Sequence, residues 1–232
     1  METVSRKEFN ELARAYYELE DLFMGFVKAM VNALEAKSPW TRGHSERVTA
    51  YAQEIACELN LDEKLRKEVI IASLLHDIGK IGTYGSILDK GSGLSSVEFS
   101  IVKRHPVQGA EILRGIRHFE NVALMVRHHH ERMDGNGYPD GLKGEEIPIG
   151  ARIVYVADAF DAMTEERPYR PSVSIEDALL ELRKHAGDQF DPVIVEAWMR
   201  VWEKQKTWML ASKGTKGGEG DNGTGHQKDP DR

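Results

Sequence analysis

Apolar side chains recur three and four residues apart along almost the whole chain, and no strand-like alternation runs longer than a short hairpin could use. That periodicity predicts an all-α fold. It begins with Phe9, Leu12, Tyr16, Leu19, Phe23, Phe26, Met30 and Ala33, a heptad seam over residues 9–34. Two arrangements suit such a seam. In one, a long helix packs along its own domain. In the other, the first half projects as a dimerising or signal-relaying helix, while residues 23–34 join the domain. Gly25 and the lack of tidy flanking charge pairs weaken the coiled-coil arrangement.

A second helix follows Ser45, with Val48, Tyr51, Ala52, Ile55, Ala56 and Leu59 on one face and Cys57 expected at its edge as an inert, packed thiol. A third starts near Asp62. The glycines and serines of IGTYGSILDKGSGLS read as a loop. Further helices are predicted over residues 96–104, 106–115, 119–130, 150–164, 174–186 and 191–206. The organisation expected is a helical linker or dimerisation segment at 1–22, one domain at 23–208, and a tail at 211–232. That tail has no anchoring apolar residue and is expected to be disordered.

The 232 residues suffice for one full-sized domain. No run of about 20 apolar residues is present, and the N-terminus lacks the apolar core of a signal peptide, so the expectation is a cytoplasmic protein that does not span a membrane. Cys57 is the only cysteine, which excludes a disulfide framework and a thiolate zinc site. A net charge of −7 argues against a DNA-coating surface. A small anion is still a suitable partner, given local positive charge from metal ions or arginines.

The nine histidines are unevenly placed. His226 lies in the tail, His185 near the end of a late helix, and His118 beside Phe119. The other six are His44, His76, His105 and the triplet His128, His129 and His130. Asp77 follows His76 at the end of an apolar segment, and Asp158 sits amid Val156, Ala157 and Phe160. One such aspartate alone would be read as half of a salt bridge, since a buried acid needs a partner. Several histidines with two such aspartates are better explained by a shared metal, and ligands without thiolate suit iron or manganese. Successive helical residues are about 100° apart, so at most two of the triplet face one site. His129 continues the stripe of Val122, Met125 and Val126, and His130 follows Val126 by four, whereas His128 follows Leu124. Phase therefore ranks His129, then His130, above His128.

The segments TRGHSERV, LLHDIGKIG, KRHPVQGAEIL, HHERMDGNGYPDGLKGEEIPIGARI, VADAFDAMT and RPYR stand in the order seen in HD-GYP domains. Over residues 23–200 the chain thus resembles this bacterial branch of the HD phosphohydrolases, which degrades cyclic di-GMP. The resemblance implies a helical bundle around a buried two-metal centre. Its ligands would be His44, His76, Asp77, His105, His129, His130 and Asp158, with Asp77 bridging. His44, His76 and Asp158 would complete one coordination shell and His105, His129 and His130 the other, leaving His128 spare. Some members hold a third metal through a glutamate four residues before the histidine of GHS; here that position is Trp40, so two metals are expected. The chain also departs from the family after HDIGKIG, where it reads TYGSILDKGSG.

The implied reaction is hydrolysis of cyclic di-GMP, with linear pGpG or GMP as the end product, within an acceleration range of about 10⁶–10¹⁷. One general acid or base supplies only about 10²–10⁴, so the metals must provide most of the rest. Asp77 and Lys80 are the expected catalytic pair, with Lys80 placed to touch a phosphate oxygen or help the leaving group. Arg167 and Arg170, whose guanidinium forks match phosphate or a guanine edge, are expected to hold substrate. Asp161 would orient the site or pair with one of those arginines. Tyr138 offers a stacking face in the GNGYP loop, which the resemblance places at the substrate opening and in contact with signalling partners. The alternatives are a phosphodiesterase for cyclic GMP-AMP, and a silent adaptor domain that binds without turnover.

Overall fold

The computed structural model describes residues 5–36, 42–82, 95–166 and 172–214, with side chains described as far as residue 209. Trp40, Arg167, Arg170, the TYGSILDKGSG segment and most of the predicted tail lie outside the described residues. Among the described residues the chain is helical throughout, apart from turns and one isolated bridge between Ala186 and Phe190.

Helix α1 (Arg6–Glu35) opens with a capping box, in which Ser5 and Glu8 satisfy each other's backbone N–H. It is followed by α2 (His44–Glu58), α3 (Glu63–Leu75) and a 3₁₀ turn (Ile78–Gly82). Next come α4 (Ser96–Val102), α5 (His105–Leu113) and α6 (Glu120–His128). A loop containing a second 3₁₀ turn (Gly144–Glu146) leads to α7 (Ile149–Thr164), α8 (Ile175–Lys184) and α9 (Pro192–Gly214). Asp62, Ser95 and Ser174 each accept from a backbone N–H in the first turn of their helix, the usual use of these residues at an N-cap.

Helix α7 is the centre of the bundle. It packs on α2, α3, α6, α8 and α9, and it buries side chains on almost every face, from Ala151 and Ile153 to Phe160. Val48, Ala52 and Ile55 of α2, Val69 and Ala72 of α3, and Val122 and Val126 of α6 meet it in one continuous apolar core. Tyr51, Phe160 and Trp198 close one end of that core, with ring centroids 5.0–5.2 Å apart.

The two halves of α1 differ. Val27 and Val31 are buried, and Phe23 meets Phe119 edge-on at 6.0 Å. Before that point the seam faces solvent: Phe9, Leu12, Tyr16 and Leu19 are all more than half exposed, and so is Phe26 further on. The arrangement in which the whole seam packs on the domain is therefore corrected. Cys57 is also corrected: it is exposed, one residue past buried Ala56, because a 100° step carries it off the packed face. Helix α9 runs to Gly214, into the stretch expected to be disordered, since Ala211, Ser212 and Lys213 contain no helix breaker.

One close approach fixes the turn after α3. A Cβ on Gly79 would collide with the backbone oxygen of His105 and come within 2.6 Å of the Gly109 nitrogen. Only glycine lets the 3₁₀ turn lie directly on α5, and that contact carries Asp77 and Lys80 to His105.

Candidate metal centre

Four helix ends converge here. His44 begins α2, His76 caps α3, His105 begins α5 and His129 caps α6. Three of these rings are held in the same way. His76 Nδ1 donates to Ser73 O at 2.7 Å, His105 Nδ1 to Val102 O at 2.8 Å, and His129 Nδ1 to Val126 O at 2.7 Å. A carbonyl can only accept, so each Nδ1 carries the proton and each Nε2 presents a lone pair.

Those lone pairs point at one another. His105 Nε2 lies 3.2 Å from His129 Nε2 and 3.3 Å from Asp77 Oδ1, a buried oxygen that receives no hydrogen bond. Burial pushes the His105 pKa down to about 3 and holds His129 well below its ordinary value, so no proton relieves the crowding at neutral pH. Three acceptors in a dry site without a donor are costly unless a cation sits among them. The donor set therefore fits a metal ion.

The other half is organised around His44. Its Nε2 is 3.3 Å from His76 Nε2, 3.3 Å from Asp158 Oδ1 and 3.9 Å from Asp77 Oδ2. Burial opposes charge on His44, but Asp158 and Asp161 outweigh it and push its pKa up to about 9. Without a metal, these carboxylates draw in a proton instead. Asp77 spans the two halves, with Oδ1 toward His105 and Oδ2 3.5 Å from His76 and 2.6 Å from Lys80 Nζ. Burial raises its pKa, yet Lys80 and the surrounding imidazoles hold it well below the carboxylate range. Two compact donor groups result, one of His44, His76 and Asp77 and one of His105, His129 and His130. Asp158 adjoins the first.

Behind the ligand atoms lies a second layer of contacts. Asp161 is 1% exposed and accepts from His44 Nδ1 at 2.6 Å and from Arg47 Nε at 2.6 Å, so both oxygens are engaged away from the cavity. The structure thus places it behind the imidazole, on the side away from the donor group. Glu35 reaches from the end of α1 to the backbone N–H of Gly43 at 2.7 Å and of Ser45 at 2.9 Å, fixing the start of α2 with a carboxylate at its N-terminus. Sequence reasoning missed both Glu35 and Arg47. For Glu35 the available signal was its spacing, four residues after Val31 and eight after Val27 on the face that packs.

His130 and the loop after α6 form the rim. The His130 ring lies 5.1 Å from that of His105 and stacks on Tyr138 at 4.9 Å and 29°. One face of Tyr138 is therefore occupied within the protein. His128 turns away from the donor groups and binds Asp140 at 2.9 Å, beside a two-pronged Arg127–Asp140 pair. Glu131 accepts from the N–H of Asp140 at 2.7 Å and of Gly141 at 3.0 Å. At Gly137 a Cβ would run into the backbone of Glu131 and Arg132, so glycine is required where the loop folds back.

The HD domain family matches residues 28–194. The chain is 40% identical over 181 residues to the 3′3′-cGAMP-specific phosphodiesterase 3 of Vibrio cholerae, covering 78% of this chain and 39% of that protein. It is also 40% identical over 185 residues to the cyclic di-GMP phosphodiesterase response regulator RpfG of Xanthomonas campestris, covering 79% and 49%. It thus spans less than half the length of these two relatives. The crystal structure of a cyclic GMP-AMP-specific phosphodiesterase of V. cholerae (V-cGAP3) superposes with a TM-score of 0.59 at 26% identity, over 77% of this chain and 48% of that one. No described helix is long and apolar enough to cross a membrane.

Proposed function

This chain belongs to the HD-domain family, in its HD-GYP branch, and from that premise we propose that it is a metal-dependent phosphodiesterase that opens cyclic di-GMP to linear pGpG. The observation that supports it best is the crowding of His105 Nε2, His129 Nε2 and Asp77 Oδ1, three acceptors that call for a cation. In this reading His44, His76, Asp77 and Asp158 hold one ion, and Asp77, His105, His129 and His130 the other. Iron or manganese suits a set of imidazoles and carboxylates without thiolate. Bound divalent ions supply Lewis acidity at phosphorus and ionise water near neutral pH.

The protein's own groups do the rest. Asp77 holds the two donor sets in register through its two oxygens. Lys80, paired with Asp77 at 2.6 Å and about a quarter exposed, has the role of proton donor to the leaving ribose oxygen in this reading. Asp161 keeps the Nδ1 proton of His44 in place, so that Nε2 faces the donor group. Arg167 and Arg170 complete the proposal as phosphate or guanine contacts, and the exposed seam of α1 as the surface for a second copy of the chain.

Cyclic GMP-AMP is the second substrate reading, because the cyclic GMP-AMP-specific relative and the cyclic di-GMP relative are each 40% identical to this chain. One experiment separates these readings. Protein purified without oxygen is assayed for bound metal and then incubated with each cyclic dinucleotide. Linear product from cyclic di-GMP at the higher rate is expected; faster turnover of cyclic GMP-AMP exchanges the two readings. No hydrolysis of either by metal-loaded protein overturns the enzymatic one.

A further inference from the structure

The rim of the centre carries a cation that none of the roles above uses. Lys103 follows α4 directly, two residues before His105, and its Nζ lies between two aromatic faces. It is 4.8 Å from the ring centroid of Phe99 and 4.9 Å from that of Tyr138. Tyr138 stacks in turn on His130 at 4.9 Å. Ammonium, phenol and imidazole therefore form one column that ends on the donor group of His105, His129 and His130. Among the described residues no carboxylate is paired with Lys103. Aromatic faces attract an ammonium by about 0.5–2 kcal/mol but do not neutralise it. The net positive charge remains at the rim, about two ring spacings from a metal-binding imidazole.

The substrate proposed above has a matching need. A cyclic dinucleotide carries two phosphodiesters in one ring, and hydrolysis engages them one at a time. While one phosphate lies at the donor groups, the other is held nearby on the same ring and requires a countercharge. Each phosphate also brings a purine, which requires an apolar face. Phe99 is 47% exposed, so it presents ring surface next to Lys103.

Resting on the phosphodiesterase reading, we propose that Lys103 and Phe99 form a second subsite, with Lys103 binding the phosphate that is not being cleaved and Phe99 stacking on the adjoining purine. The subsite recognises the cyclic dinucleotide as a two-phosphate ligand. It is indifferent to a diester that has only one phosphate.

The test compares two substrates on manganese-loaded protein: whichever cyclic dinucleotide the wild type turns over, and bis(4-nitrophenyl) phosphate, which has a single phosphodiester. Lys103→Met keeps the aliphatic stem between the rings and removes the charge. It is expected to raise KM for the cyclic dinucleotide about tenfold or more, as loss of a charged hydrogen bond does, with kcat changed by less than about twofold. Bound metal and the rate on bis(4-nitrophenyl) phosphate should stay at wild-type values, and Lys103→Arg should restore most of the lost KM. An equal loss on both substrates, or an unchanged KM for the cyclic dinucleotide, would overturn the subsite. Wild-type protein that cleaves only bis(4-nitrophenyl) phosphate would instead sink the cyclic dinucleotide reading, and the subsite with it.

Discussion

Asp161 accepts the Nδ1 proton of His44 at 2.6 Å, from the side of the ring opposite the donor groups. That contact fixes both the tautomer and the tilt of His44, while Arg47 keeps the carboxylate from turning. Asp161→Asn retains the shape and loses the charge. Metal affinity in the His44 half is expected to fall about 10–100-fold, as for other partners of ligating histidines. Metal titration of the variant checks this; wild-type affinity would mean that Asp161 has only a packing role.

Asp77→Ala removes a carboxylate whose two oxygens face the two donor groups, so bound metal and turnover should both be lost. His128→Ala is the contrasting change. Its ring binds Asp140 rather than the donor groups, so metal content should be unchanged. The protein should lose about 1 kcal/mol of stability, from one hydrogen bond to the loop. Metal analysis and thermal melting of the two variants side by side make the comparison.

Metal-free protein should be most stable near neutral pH. His105 and His130 are pushed down to about 3 and about 4 by burial, and His129 is lowered as well. Below pH ~6.5 the unfolded chain takes up protons on these histidines that the folded chain refuses, so stability falls as the pH drops from there. His44 has the opposite sign, with its pKa raised to about 9: its contribution is complete below pH ~6.5 and is lost as the pH climbs through 9. Urea midpoints measured in chelator should therefore peak between these two slopes. A flat profile from pH ~7 to ~5 would contradict the neutral, buried state of the three histidines.

The exposed seam of α1 leads to a separate measurement. Leu12 and Leu19 are 69% and 65% exposed. Wild-type protein is expected to sediment as a dimer. Leu12→Glu combined with Leu19→Glu should give a monomer with unchanged metal content, because neither side chain belongs to the core. A wild-type monomer would leave the seam without a partner of its own kind.

Much of this architecture was legible in the sequence because local rules govern it. The helix starts predicted near Asp62 and at residues 96 and 174 lie within one residue of the observed ones, and the 100° step ranked His129 and His130 above His128 before any packing was known. The contacts that finish the centre were not legible in the same way. His44 and Asp161 stand 117 positions apart, and helical phase cannot choose a partner across that distance. Nor is the setting of Lys103 a local matter, since part of it comes from Tyr138 on a distant loop. Cys57 was misplaced because one residue of phase separates a packed position from a wet one.

The bonds from His76, His105 and His129 to carbonyls three residues earlier set a division of labour during assembly. Each imidazole is aimed by the turn that carries it, so orientation arises within a handful of neighbouring residues. What long-range folding must supply is the relative placement of a few stiff helix ends. Damage to the centre should then come as sliding between intact pieces rather than as melting of any one of them. A destabilised variant would release its ions while its circular dichroism still reported nearly complete helix.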